Sequence, residues 1–182
     1  MDNEKALIEG CRKEKSEAQK KLYEAFAPKM LVVSLRYSKS QQEAEDILQE
    51  AFLKVFKHIK DFKGDSSLYY WIKRIVINTA LNSQRSKLYL FPMVDVSSLN
   101  HVDDTIDIKG LAWQDLLQMI QELPAGCQVI FNLFAIEGYS HKEIAEKLNI
   151  SEGTSKSQFA RARALMREKI EKEERMTYER AK

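Results

Sequence analysis

The sequence contains little cysteine, glycine, proline or histidine, and each scarcity argues against a class of protein. Its 182 residues include 2 Cys, 6 Gly, 3 Pro and 3 His. Cys11 and Cys127 are too few and too far apart for a disulfide framework or a paired-cysteine metal site, so we expect reduced thiols. With 44% hydrophobic and 31% charged residues, the composition indicates a globular, helix-rich protein rather than a disordered one.

Long hydrophobic runs are also missing. No apolar segment approaches the roughly 20 residues that a membrane-spanning helix needs, and the N-terminal stretch MDNEKALIEGCRKEK has no apolar signal core. We therefore expect an intracellular, cytoplasmic protein. The net charge is only +2, but acidic residues concentrate at 43–50 and 103–107 and basic residues at 73–87 and 156–175. Charges of opposite sign are therefore segregated along the chain, and their distribution is more informative than the net charge.

Apolar residues recur at helical spacing through most of the chain, which predicts an all-α fold. The expected helices of the first half cover residues 6–26, 30–37 (after Pro28), 42–59 and 67–85. The periodicity fails from Leu88 to Gly110, where a proline, paired serines and an acidic cluster indicate a linker.

These patterns predict two small helical domains joined by an extended acidic linker. The predicted parts are an N-terminal domain over residues 1–88, a linker over 89–112, a C-terminal helix-turn-helix domain over 113–175 and a tail over 176–182.

The helix-turn-helix prediction rests on GYSHKEIAEKLNISEGTSKSQFARARALMREKI, residues 138–170. Ser140 and Glu143 have the spacing of a capping box at the start of a helix. Asn149 and Ile150 then form a short turn, and Ser151 is placed to cap the second helix.

On a helical wheel the second helix separates an apolar side from a small and basic side. The residues expected to face inward are Ser155, Phe159, Ala162, Met166 and Ile170; those expected to face outward are Gly153, Lys156, Ser157, Ala160, Arg161 and Ala164. Small residues let a helix approach a groove, and the outward polar groups can reach base edges and phosphates. A solvated basic face is the alternative, but the cap, the turn and the mixed face together favour DNA binding. We expect Arg163 and Arg167, beside this face, to meet phosphates or solvent.

The predicted helix over residues 42–59 has an acidic side opposite its apolar side. This side carries Glu43, Asp46, Glu50, Leu53 and Lys57, with Gln49 next to them. A solvated face is the simplest interpretation, and a metal site is weakly supported because no histidine has ligand spacing. The leucine within the acidic stripe favours a protein partner with a basic surface.

The segment GDSSLYYWIKRIVINTALNSQRS, residues 64–86, combines a serine-rich turn with aromatic and basic residues. Leu68, Ile72, Ile75 and Thr79 are expected to face inward, and Trp71, Arg74, Asn78 and Arg85 form a flanking stripe. A ring, cations and an amide in one row resemble a platform for single-stranded nucleic acid, and the turn could hold an unstacked base. Trp71 could equally belong to the core.

Together, AEDILQEAFLKVFKHI, FKGDSSLYYWIKRIVINTALN and LPAGCQVIFNLFAIEGYSHKEIAEKLNISEGTSKSQFARAR resemble, in order and layout, the ECF (extracytoplasmic function) group of bacterial sigma factors. The resemblance implies a promoter-specificity subunit of RNA polymerase that is not an enzyme and needs no cofactor or metal. It also implies three partners: core RNA polymerase (largest-subunit clamp and flap regions), promoter DNA and an anti-sigma factor.

The resemblance also implies a role for particular residues. Core polymerase binding would fall on Asp46, Gln49, Glu50 and Leu53. Recognition and melting of the minus-ten element would fall on Lys63, Ser66, Ser67, Trp71, Arg74 and Asn78. Reading of the minus-thirty-five element as duplex would fall on Lys156, Ser157, Ala160 and Arg161. Ser155, Gln158 and Tyr70 depart from common family residues, which bears on the preferred promoter sequence.

Two other classes compete with this interpretation. A free-standing helix-turn-helix regulator with a ligand-sensing domain would explain residues 140–167 but leaves the acidic helix and the stripe over 66–85 without a role. A nuclease using the acidic helix is the other, but the three histidines are scattered and no nucleophile–base pair or phosphate loop occurs.

Overall fold

A computed structural model describes residues 2–88 and 112–180, and within these ranges the regular structure is helical, without a strand. The all-α prediction is therefore confirmed. The helices are α1 Asp2–Arg12, α2 Ser16–Tyr37, α3 Gln41–His58, α4 Leu68–Leu88, α5 Trp113–Glu122, α6 Ala125–Phe131, α7 His141–Leu148 and α8 Glu152–Arg180. Short 3-10 and π-helical segments, Ile59–Asp61 and Asn132–Ile136, follow α3 and α6.

The chain divides into two compact helical units, Met1–Gln84 and Arg85–Lys182. The predicted linker over 89–112 lies outside the described residues except for Ala112. α8 continues to Arg180 and so includes most of the predicted tail. None of the helices in the described ranges has the length and apolar character needed to cross a bilayer.

The helix boundary predicted at Pro28 is wrong, because α2 runs through this residue without a break. A proline inside a helix costs about 3 kcal/mol through a lost hydrogen bond and a steric clash. Ala27 and Met30 on either side of it are buried, so core packing offsets that cost and the helix persists.

The chain breaks instead between α1 and α2, where Glu14 takes the left-handed conformation with φ 57°. The two helices approach closely at Gly10, where an added Cβ would lie 2.6 Å from the Cβ of Ala18. Only glycine permits this approach. The resulting helical hairpin places Arg12 near the loop that precedes α4.

The core of the N-terminal unit is built by one face each of α2, α3 and α4. Ser40 caps α3, since its Oγ accepts a hydrogen bond from the Glu43 backbone N–H at 3.1 Å. The rings of Tyr23 on α2 and Phe52 on α3 meet edge to face at 4.8 Å. The buried apolar residues of α3 and α4 include Ala44, Ile47, Leu48, Ala51, Phe52, Val55, Leu68, Ile72, Val76, Ile77, Ala80 and Leu81.

In the C-terminal unit, α5, α6 and α7 all pack against α8. Aromatic residues form the contact: the ring of Phe159 lies 4.5 Å from Phe134 and 6.2 Å from Phe131. Ala162 and Met166 continue the buried side of α8. This packing fixes which side of α8 remains available to a partner.

Candidate polymerase-binding and nucleic-acid-binding surfaces

Four residues implied in polymerase binding lie together on the solvent side of α3. Asp46, Gln49, Glu50 and Leu53 are all exposed, and Leu53 is 71% exposed. We call these four residues the α3 surface. A leucine this exposed gains nothing for folding, so its position among acidic and polar groups suits a protein contact.

Glu50 of the α3 surface is also tied to the neighbouring helix. The Lys54 ammonium donates to Glu50 Oε1 at 2.7 Å and to Thr79 Oγ1 on α4 at 3.2 Å. One lysine therefore connects the α3 surface with α4.

The loop before α4 carries Lys63, Ser66 and Ser67, and its start is fixed by α1. Phe62 is buried, and its carbonyl accepts a 2.6 Å hydrogen bond from the Arg12 guanidinium. Gly64 then takes φ 84°, a left-handed conformation that favours glycine. Lys63 and Ser67 are exposed and Ser66 is partly exposed. The loop therefore presents polar groups to solvent, while the hydrogen bond to Phe62 fixes its first residue.

The side chain and the carbonyl of Ser67 also accept hydrogen bonds at the start of α4. Its Oγ accepts from the Tyr70 N–H at 3.5 Å, and its carbonyl accepts from the Trp71 N–H at 3.1 Å. Tyr70 is 61% exposed and meets Tyr69 edge to face at 5.3 Å. The serine hydroxyl is therefore already directed towards the backbone of α4.

Along α4, Arg74 and Asn78 are exposed, as the predicted stripe requires. Trp71 is half-buried, with its ring centroid 5.3 Å from that of Phe62. The indole thus packs on the core with one part and remains open to solvent with another. The side chain of Arg85 lies outside the described residues.

A surface cavity of about 360 Å³ lies between α3 and α4. It brings two residues of the predicted stripe together with residues that the sequence reasoning did not select. Its polar and aromatic lining consists of Lys54, His58, Asp61, Trp71, Asn78, Thr79 and Asn82. His58 Nδ1 and Asp61 Oδ2 lie 3.2 Å apart. The four-residue spacing of Glu50 and Lys54 in the sequence indicates their ion pair, but it does not indicate that Lys54 lines this cavity.

The predicted helix-turn-helix is present, with the predicted caps. The Ser140 N–H donates to Glu143 Oε2 at 2.8 Å, and Ser140 Oγ accepts from the Glu143 N–H at 3.3 Å. Hydrogen bonds from the Ser140 side chain and backbone lower the pKa of Glu143. Asn149 takes φ 54° at the turn, and Ser151 Oγ accepts from the Thr154 N–H at 2.9 Å.

Part of the predicted outward face of α8 is open to solvent. Lys156 is exposed, and Ala160 and Arg161 are partly exposed. The Lys156 ammonium lies 2.8 Å from Glu152 Oε1. Its hydrogen bond and its positive charge lower the pKa of Glu152. The exposed part of the face therefore has two cations beside a small residue.

Two placements taken from the helical wheel are wrong. Ser157 is only 8% exposed, and its hydroxyl donates to the Thr154 carbonyl at 3.0 Å. Arg163 is also 8% exposed, with its guanidinium carbon 5.1 Å from the centroid of the Phe159 ring. Because several helices pack on α8, its buried arc is wider than the single apolar stripe that the wheel assumed. Arg163 is therefore directed towards the core rather than towards phosphate or solvent.

His141 joins the two helices of the motif. Its ring stacks on Phe134 at 4.3 Å, and Nδ1 lies 2.9 Å from Ser155 Oγ on α8. Burial lowers its pKa, with further lowering by the Lys156 and Arg163 charges and an opposing effect of Glu152. The neutral imidazole is thus favoured at this contact.

The part of the chain that the structure describes contains no group of three or more His, Cys, Asp and Glu side chains arranged to hold a metal ion.

Two family models match the chain, and they match in the order of its two units. The model of Sigma-70 region 2 matches residues 22–88, and that of Sigma-70, region 4, matches residues 113–166. The RNA polymerase sigma-H factor of Pseudomonas aeruginosa is 30% identical over 176 residues, which cover 90% of this chain and 91% of the relative. This chain belongs to the ECF group of RNA polymerase sigma factors.

A second relative agrees with the membership. The ECF RNA polymerase sigma-E factor of Haemophilus influenzae is 27% identical over 181 residues, covering 92% of this chain and 95% of the relative. A co-crystal structure of the sigma factor RpoE with the anti-sigma factor NepR from Bartonella quintana is similar in fold. Its TM-score is 0.51 at 21% identity, over 84% of this chain and 96% of that chain. This sigma factor therefore acts in transcription initiation.

Proposed function

We propose that this sigma factor uses three separate surfaces to direct initiation at its promoters. The α3 surface binds core RNA polymerase at the clamp of the largest subunit. The loop over 63–67 and α4 recognise and melt the minus-ten element, and α8 reads the minus-thirty-five element as duplex. The observation that carries the proposal is the capped helix-turn-helix whose exposed face holds Lys156, Ala160 and Arg161.

Polymerase binding by the α3 surface is supported by its mixed chemistry. Asp46 and Glu50 offer negative charge to a basic partner, which gives orientation and a fast association rate. Leu53, 71% exposed, offers apolar area that such a partner can cover, and burial of that area supplies affinity.

Duplex reading by α8 is supported by the position of its exposed residues near the N-terminal end of the helix. In helix-turn-helix proteins these positions contact base edges in the major groove. Lys156 and Arg161 supply cations for bases and phosphates, and Ala160 allows close approach. A DNA contact by Ser157 stays a prediction, and its burial means that the hydroxyl would have to leave its bond to Thr154.

Melting of the minus-ten element is supported by the anchored loop and by the cavity beside Trp71 and Asn78. Unpairing costs about 1.4 kcal/mol per base-pair step. Stacking of a captured base returns about 1–3 kcal/mol, but only while the strand is held open. The melting surface therefore needs the polymerase as a scaffold, and the free protein binds promoter DNA poorly.

We also propose that the protein is a non-enzymatic regulator that works in the cytoplasm. The linker over 89–112 connects the promoter-reading units within the polymerase, and the C-terminal unit meets the flap region. The similar RpoE structure contains an anti-sigma factor, and we extend this partner to the present chain. An anti-sigma factor that covered the α3 surface would prevent polymerase binding.

Multi-round transcription with core RNA polymerase on a promoter library tests the proposal. We expect initiation from a defined set of promoters only when the protein is added. A free-standing helix-turn-helix repressor would add no initiation, and a nuclease would cleave the template in the presence of a divalent metal. Either result would refute the proposed function.

A further inference from the structure

We propose that Lys54 is a further DNA-binding residue of this sigma factor, and that Glu50 withholds it until core polymerase binds. The inference rests on the proposed function, because it joins the α3 surface to the DNA-binding role of α4. It assigns one lysine to both surfaces and gives a physical reason why the free protein would bind DNA poorly.

The geometry places Lys54 between the two surfaces. Its ammonium is 2.7 Å from Glu50 Oε1 and 3.2 Å from Thr79 Oγ1. Thr79 is buried and fixed on α4 next to Asn78, whereas the Glu50 side chain is 55% exposed. The contact with α4 therefore lies inside the unit, and the contact with Glu50 is the one that an external partner can reach.

Lys54 also lines the cavity that contains Trp71 and Asn78. A ring, an amide and an ammonium group are the groups that stack on a base, bond its edge and neutralise a phosphate. Two other titratable groups line the same cavity, His58 and Asp61, and they are 3.2 Å apart. Because Glu50 pairs with Lys54 and Asp61 lines the wall, this cavity has little net positive charge to attract a nucleic acid in the free protein.

Polymerase binding would change this balance. An exposed ion pair between residues four apart is weak, so a partner surface with several cations competes effectively for Glu50. Lys54 would then keep the hydrogen bond to Thr79 as an anchor, and its ammonium would be free to bind a phosphate of the strand that enters the cavity. DNA affinity would thereby rise only after the polymerase has bound.

The first test compares Lys54→Met with wild-type protein, each saturated with core polymerase, on a fork-junction promoter DNA. We expect DNA affinity to fall about three- to tenfold, and the slope of log affinity against log salt to decrease by about 0.7–0.9. Core affinity should be at least as high as for wild type, because Glu50 loses an internal competitor. Lys21→Met is the matched control, since Lys21 pairs with Glu17 at 3.5 Å on α2 with the same four-residue spacing.

The second test asks whether Glu50 withholds Lys54. Glu50→Gln in the free protein should bind the fork DNA about three- to tenfold more tightly than wild type. Adding Lys54→Met to this variant should remove the gain. A gain that survives in the double variant would overturn the coupling, because it would show only a general loss of negative charge.

The results also separate this inference from a structural role and from the proposed function. If Lys54→Met lowers the melting temperature, core affinity and DNA affinity together, or leaves DNA affinity and salt slope unchanged, the inference is wrong. Those outcomes leave the proposed function standing as long as wild-type protein initiates transcription. Failure of wild-type protein to initiate would refute the proposed function itself.

Discussion

Leu53→Ala should weaken binding to core polymerase without weakening the fold. Leu53 is 71% exposed in the free protein, so most of its apolar burial would be gained on binding. Burying a leucine side chain contributes about 1.5–3 kcal/mol relative to leaving it exposed. Alanine keeps only the β-carbon, so the expected loss is about 1–2 kcal/mol, or roughly 5- to 30-fold in Kd.

The assay is equilibrium binding of fluorescently labelled sigma factor to core polymerase, followed by anisotropy. Val32→Ala is the control, because Val32 is 40% exposed on α2 and has no role in the proposed interface. The free energy of unfolding of both variants should stay within about 0.5 kcal/mol of wild type. An unchanged Kd for Leu53→Ala, or an equal loss for Val32→Ala, would refute the assignment of the α3 surface.

Three further predictions concern the C-terminal unit. Arg161→Ala should reduce holoenzyme affinity for the minus-thirty-five element by about 1–3 kcal/mol, measured on promoter DNA with core affinity unchanged. Phe159→Ala should destabilise the unit by about 3–5 kcal/mol in thermal unfolding, because three aromatic or imidazole rings pack on Phe159. The lowered pKa of Glu143 gives stability that is present above the ordinary carboxyl value of 4.5 and is lost as the pH falls through the lower folded value. Glu143→Gln should flatten that part of the stability profile.

Control variants check the first two of these predictions, and a contradicting outcome checks the third. Arg175→Ala changes an exposed arginine near the end of α8 and should leave promoter affinity unaltered. A loss equal to that of Arg161→Ala would mean that Arg161 contributes only its positive charge and no specific contact. Phe159→Leu should cost less than Phe159→Ala, since it leaves a smaller cavity, and equal costs would contradict the packing argument. For Glu143, identical dependence of stability on acidic pH in Glu143→Gln and wild type would show that protonation of Glu143 does not affect folding stability.

Local features of the fold could be predicted from the sequence because neighbours along the chain determine them. The Ser140–Glu143 capping box, the Ser151 cap and the exposed side of α3 all depend on spacing within one helix. Ser157 and Arg163 could not be placed correctly, because their burial depends on how many helices pack on α8. A wheel shows the direction of each side chain but not the width of the covered arc.

The site residues show the same division. Arg74 and Asn78 were predicted from the periodicity of one helix and are exposed as expected. The cavity contains Lys54 and His58 because the packing of α3 against α4 brings residues far apart in the chain to one place. No local sequence pattern predicts such a contact between residues of two helices. Tertiary packing also explains why helix α2 continues through Pro28, since it outweighs the local helix-breaking preference of proline.

Run-off transcription with purified core polymerase on a promoter library tests the central claim most directly. We predict that the protein directs initiation from promoters that share a minus-thirty-five and a minus-ten element. We also predict that Arg161→Ala lowers dependence on the first element and Asn78→Ala alters preference at the second. Absence of initiation with active core polymerase, or initiation whose promoter choice neither substitution changes, would contradict the account.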